Sequence, residues 1–129
     1  MLQEQTGESP LDRLQSVIDR DGLLAAIEDA RSVFVEESVN RYVVAVVRQT
    51  RSDGRLYLGA SPRSGIALLR VAKARALADG RDYVSPDDVK TVAAAVLAHR
   101  LILAPEARSS GLGAAEVVND LLNRTPVPV

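Results

Sequence analysis

A chain of 129 residues is enough for one domain, and 47% apolar against 26% charged side chains is the balance of a globular fold with a real core. Sixteen basic and seventeen acidic residues leave a net charge of -1, without the cationic excess of a general nucleic-acid or membrane-surface binder. No cysteine and a single histidine, His99, exclude disulfide scaffolds, thiolate zinc sites and cysteine–histidine nucleophile pairs.

One Phe, three Tyr and no Trp require a core of Leu, Val, Ile and Ala, which suits closely packed helices better than an aromatic-rich sandwich. The first ten residues are polar, and "MLQEQ" reads as the last turn of a helix that starts elsewhere. Residues 1–10 are therefore expected to be the truncated end of a preceding unit and 11–129 the domain itself. No basic stretch followed by an apolar one marks a secretory signal, and "YVVAVV" from Tyr42 and "VAAAVLA" from Val92 are too short to span a membrane. A cytoplasmic setting without membrane insertion is the expectation.

After a Ser-Pro opening at Ser9, Leu23, Leu24, Ile27 and Ala30 fall at helical spacing, predicting a short helix from Gly22 to Ser32 with Asp21 as its cap. Val39, Tyr42, Val43, Val46 and Val47 follow an i, i+3, i+4, i+7, i+8 stripe, an amphipathic helix that ends by Gly54. The helix opening at Ser61 is apolar on all but a narrow side bearing Arg70, Lys73, Arg75 and Asp79, so it is expected to be central and the most enclosed. Gly80 stops it. Ser85 caps the next helix, whose inward stripe is Val89, Val92, Ala93 and Val96. Leu101 to Leu103 lies too near Pro105 to be helical and reads as extended, "RSSGLG" from Arg108 as a loop, and Ala114 to Leu122 as a last helix followed by an extended tail. The fold class is all-α, a small helical bundle with a short extended segment at Leu101–Leu103.

Phosphate-cradling, nucleophile-elbow and zinc signatures are all missing, so the chain alone is not expected to catalyse a reaction, and no residue stands out as a metal ligand. Adjacent carboxylates, Glu36 with Glu37 and Asp87 with Asp88, do not share a helix face and read as surface or first-turn groups. His99 beside Arg100 reads as a helix-end residue bonded to terminal carbonyls. Arg63 is different. Ser-Pro openings at Ser9 and Ser85 place Asp three residues after the serine, whereas the one at Ser61 runs Ser-Pro-Arg-Ser. A cation there opposes the partial positive charge of a helix start, at a cost of roughly 0.3 to 1 kcal/mol. Such an arginine either pairs with a surface carboxylate or, with the first-turn N–H groups, completes a site for a phosphate or another anion.

"GASPR" from Gly59, "GRDYVSPDDV" from Gly80 and "LAHRLIL" from Leu97 occur in order and at matching intervals. In these motifs, and from about Leu11 to Pro128, the sequence resembles the C-terminal lid of the MoxR family of AAA+ ATPases. The resemblance implies that Ser-Pro-Arg is the sensor 2 motif. Arg63 would then be the catalytic and ATP-phosphate-binding arginine of a longer enzyme. It also implies ATP with Mg bound in a P-loop core that would precede this chain, with residues 1–10 as the core's last turn, and no cofactor tightly held by the lid alone. Implied partners are that core, neighbouring subunits of a hexamer, and von Willebrand factor A domain proteins. The implied activity is chaperone-like, ATP-driven remodelling or metalloenzyme maturation. Two positions depart from the family's pattern, since "FVEESV" and Gly113 stand where Ser or Thr commonly caps, and both imply weaker caps. The alternative is a free-standing helical interaction or DNA-binding module without nucleotide contact, against which the balanced charge counts.

Overall fold

The computed structural model describes residues 13–127. The expected break at residues 1–10 and the Ser-Pro opening at Ser9 lie outside them. Six helices run in the order α1 (Arg20–Ser32), α2 (Glu37–Ser52), α3 (Pro62–Ala78), α4 (Pro86–Leu97), α5 (Pro105–Ser109) and α6 (Ala114–Arg124), with strands β1 (Leu56–Leu58) and β2 (Ile102–Leu103) between them. The all-α bundle expected from periodicity is the fold observed. The extended segment is real but shorter than expected: Ile102 and Leu103 pair antiparallel with β1, a strand whose three residues gave no alternation to read.

Helix α3 is central, packing on α1, α2 and α4, while α6 closes the bundle against α4 and α2. The stripe of α2 is buried as the spacing predicts, with Val39, Tyr42, Val43, Val46 and Val47 all inward. From α4 come Val89, Ala93, Val96 and Leu97, and from α6 Val117, Val118, Leu121 and Leu122, although Val92 is only half-buried. Gly65 is buried at the α2–α3 contact, facing Val43 and Val47.

Three expectations need correction, and one helix face lies open. Asp19, not Asp21, caps α1, its carboxylate accepting the Gly22 N–H at 2.7 Å, so the helix starts two residues earlier. Helix α3 is not the most enclosed element: Ile66 and Val71 are exposed, and only Ser64, Gly65, Leu68, Ala72 and Ala76 are buried. Leu23, Leu24 and Ile27 of α1 face solvent, and no residue of that helix is buried, because only part of its surface meets α3. Finally, Arg108 and Ser109 belong to α5, which Pro105 initiates at its first position, and the turn comes only at Ser110 and Gly111.

The connections are tied by polar contacts. Phe34 N–H donates to Asp82 O and Val84 N–H to Phe34 O, joining the α1–α2 and α3–α4 linkers. Asp88, 3% exposed, closes a capping box with Ser85 and takes a two-pronged ion pair from Arg81, at 2.7 and 2.6 Å. Asp53 similarly receives Arg55 Nε at 2.9 Å and Nη2 at 2.7 Å, and Arg124 at 3.1 Å, with Asp120 sharing both arginines. These partners hold both aspartates well below the usual carboxylate range, chiefly through the Arg81 bonds for Asp88 and the Arg55 bonds for Asp53, against the opposing effect of burial. A carboxyl whose native pKa is depressed stabilises the fold fully above its unfolded value of about 3.9, and that stabilisation drains away as pH falls below it. Stability by urea unfolding should therefore hold flat from neutral to mildly acid pH and fall steeply below about 4. Asp88→Asn should lower the neutral-pH melting temperature by several degrees and flatten that acid limb. An unchanged acid limb would show that the Arg81 pair contributes nothing to it.

Candidate functional site

The sequence motif "GASPR" is built as a connection locked to the end of α2. The Thr50 hydroxyl, buried, donates to Val47 O at 2.7 Å and accepts the Ala60 N–H at 2.8 Å, satisfying a main-chain donor that is itself buried. At Gly59 the chain passes so near the last turn of α2 that a Cβ would lie 2.5 Å from Thr50 O and 2.7 Å from the Arg51 Cα and N. Those neighbours are backbone and cannot rotate away. Only glycine fits there.

Two residues on, Ser61 takes extended dihedrals and accepts the Ser64 N–H on its side chain at 3.3 Å, with Pro62 in the first helical position. Cap and proline therefore stand where the sequence places them, and they set Arg63 at the second position of α3. Arg63 is exposed. Among the described residues it makes no ion pair, so the surface carboxylate that could have explained it is not found.

Arg63 opens onto a surface depression of about 470 Å³ walled by Ile66, Ala67, Arg70, Val71 and Arg100. Residues 63, 66, 67, 70 and 71 form one face of α3, and Arg100 reaches it from the turn that ends α4. Three guanidinium groups thus border an apolar floor with no carboxylate in the lining. Sequence reasoning singles out Arg63 alone; Arg70 has a usable signal in its i+7 spacing, whereas Arg100 is brought there only by the packing of α4 on α3. His99 is exposed and bonds Ala95 O through Nδ1 at 3.2 Å, the helix-end role expected of it.

Among the described residues no group of three or more His, Cys, Asp or Glu could hold a metal ion, and no helix is long and apolar enough to cross a membrane. The arrangement is suited to recognising an anion with charge-assisted hydrogen bonds. It contains no nucleophile or general base.

A helical bundle of this order, with an arginine held at a capped helix start, defines the class. A family model described as the AAA lid domain matches residues 48–121, more than half of the chain, and the chain belongs to that family, in its MoxR-type form. It is 34% identical to chaperone MoxR1 of Mycobacterium tuberculosis over 123 residues, covering 88% of this chain and 33% of the relative. Protein MoxR of Methylorubrum extorquens is 41% identical over 118 residues, covering 81% of this chain and 33% of the relative. YeaC of Bacillus subtilis is 36% identical over 129 residues, covering all of this chain and 40% of the relative. A crystal structure from Cytophaga hutchinsonii ascribed to an ATPase superposes with a TM-score of 0.83 at 31% identity, covering 89% of this chain and 38% of that one. The chain spans a third to two-fifths of the length of these proteins.

The lock between Thr50 and Ala60 should be measurable. Thr50→Val keeps the shape but strips the buried Ala60 N–H of its acceptor, and is expected to cost about 1 to 3 kcal/mol in urea unfolding. Wild-type stability in that variant would mean that the connection is held by packing alone.

Proposed function

We propose that this chain is the nucleotide-sensing lid of a chaperone-like, ATP-driven remodelling ATPase, with Arg63 as its sensor 2 arginine. The observation that carries the reading is an exposed guanidinium, fixed by a capped helix start, that finds no carboxylate among the described residues. At a helix start that cation is disfavoured by itself and favoured once an anion joins it. Each charge-assisted bond to phosphate contributes roughly 1.5 to 3 kcal/mol, which exceeds the dipole penalty.

In this reading ATP and its magnesium sit in a P-loop core that a longer protein would supply. Magnesium, when bound, neutralises part of the phosphate charge. The lid's own contribution is cationic: Arg63 binds and orients the terminal phosphoryl group, and Ser61 and Pro62 aim it without touching the nucleotide. Because the arginine meets that group in ATP but not in ADP, the lid has different affinity for the two states, and hydrolysis shifts its position against the core. Its partners are then that core, the neighbouring subunits of a hexameric ring, and von Willebrand factor A domain proteins, in the cytoplasm. Metalloenzyme maturation is one task such remodelling serves.

Arg63→Ala in the full-length ATPase is expected to lower ATP turnover about a hundredfold or more while leaving the unfolding midpoint of the lid unchanged. Normal turnover in that variant overturns the assignment. The 129-residue chain alone should bind ATP more weakly than micromolar, since most phosphate contacts belong to the core. Micromolar affinity by calorimetry would contradict the division of labour.

A further inference from the structure

The motif "LAHRLIL" has no part in the sensing role of Arg63, yet its His99 and Arg100 form a connected pair. Arg100 Nε donates to His99 Nε2 at 3.1 Å, and because an arginine N–H can only donate, Nε2 must be the accepting nitrogen. The imidazole proton then lies on Nδ1, which points at Ala95 O, 3.2 Å away in the last turn of α4. One tautomer satisfies both bonds, and the chain Ala95 O, His99, Arg100 fixes the guanidinium by its Nε. The two Nη groups of Arg100 have no hydrogen-bond or ion-pair partner among the described residues, and the side chain lines the same depression as Arg63.

Local charge makes this grouping unusual. The chain as a whole carries one more acid than base, but the depression holds Arg63, Arg70 and Arg100 and no acid. Elsewhere among the described residues, Arg31, Arg41, Arg55, Arg75, Arg81 and Arg124 each have a carboxylate within ion-pair distance, and Arg13, Arg20, Arg48, Arg51 and Arg108 do not, so the distinction of the depression is that three guanidinium groups share one lining without an acid. Like charges gathered beside one another without counter-charge raise the energy of the empty site and lower it when an anion enters.

We infer that Arg100, positioned by His99, is a second anion-contacting residue that engages the same phosphate ligand as Arg63. The inference rests on the sensor reading of Arg63 and extends it. The ligand class is a condensed phosphate, which is multiply charged and long enough to meet guanidinium groups from both α3 and the end of α4. Arg63 answers to the terminal phosphoryl group, and Arg100 adds charge that does not depend on which step of the cycle is under way. His99 touches no ligand.

Arginine side-chain Nε–H resonances of the 129-residue chain, followed by NMR through a titration with inorganic triphosphate, test this directly. Arg63 and Arg100 are expected to shift along one saturation curve in the millimolar range, with exposed Arg20 as the unmoved control. If Arg63 responds and Arg100 does not, the inference fails and the sensor reading stands. If Arg100 responds and Arg63 does not, the shared-ligand inference falls together with the sensor reading. Silence from both, or equal shifts at Arg20, also overturns the inference. In the full-length ATPase, Arg100→Gln should raise the KM for ATP about tenfold with kcat nearly unchanged, Arg100→Lys should restore part of the loss, and His99→Ala should move KM in the same direction by less. A variant set that lowers kcat and leaves KM alone would assign Arg100 to something other than ligand binding.

Discussion

The near-contact of Gly59 with the final turn of α2 is the constraint on which the geometry of this domain turns. Helices α2 and α3 pack side by side through Gly65, and the chain must reverse between them within a few residues while also contributing β1. Main-chain atoms approach so closely that no side chain fits, and the Thr50 hydroxyl supplies the acceptor that the buried Ala60 N–H would otherwise lack. From that fixed point the dihedrals of Ser61 and the ring of Pro62 determine where α3 begins, and hence where Arg63 stands. The position of the Arg63 guanidinium is thus determined by contacts that lie behind it, in the joint and not in the groove.

Polar interactions divide into two populations by place. Ion pairs at Asp53 and Asp88 sit at the ends of helices and tie segments together, each carboxylate satisfied by two-pronged arginine contacts and largely buried. Around the depression beside α3, Arg63, Arg70 and Arg100 have no such partners among the described residues.

Much of the bundle is legible in the sequence because its helices carry strong periodic stripes: α2 and α6 bury the residues their spacing predicts, α4 does so except at half-buried Val92, and Ser61 and Ser85 cap where they should. Arg63 is legible as an electrostatic exception among three similar openings. What resists reading is set by tertiary partners. Leu23, Leu24 and Ile27 have helical spacing, but spacing says which residues share a face and nothing about whether that face finds a partner. Asp19 and Asp21 are both competent caps, and the choice between them lies in backbone dihedrals. The pairing of Arg55 with Asp120 spans 65 positions and has no local signature. Arg100 carries no signal of its own for the same reason, since its neighbourhood to Arg63 exists only after α4 docks on α3.

An aromatic-poor interior gives Tyr42 a singular place. It is fully buried between α2 and α6, its hydroxyl 3.5 Å from Leu122 O, while Phe34, Tyr57 and Tyr83 face solvent. Burial above all, and Asp87 secondarily, push its phenol above the ordinary value. Neutral phenol is favoured in the native state, so alkali drives unfolding once the ionised form becomes accessible to the opened chain. With no tryptophan to obscure the tyrosines, and with Tyr57 and Tyr83 already facing solvent, the part of the tyrosinate absorbance that develops only as the chain opens at high pH belongs to Tyr42 and gauges how far the joint between α2 and α6 has come apart.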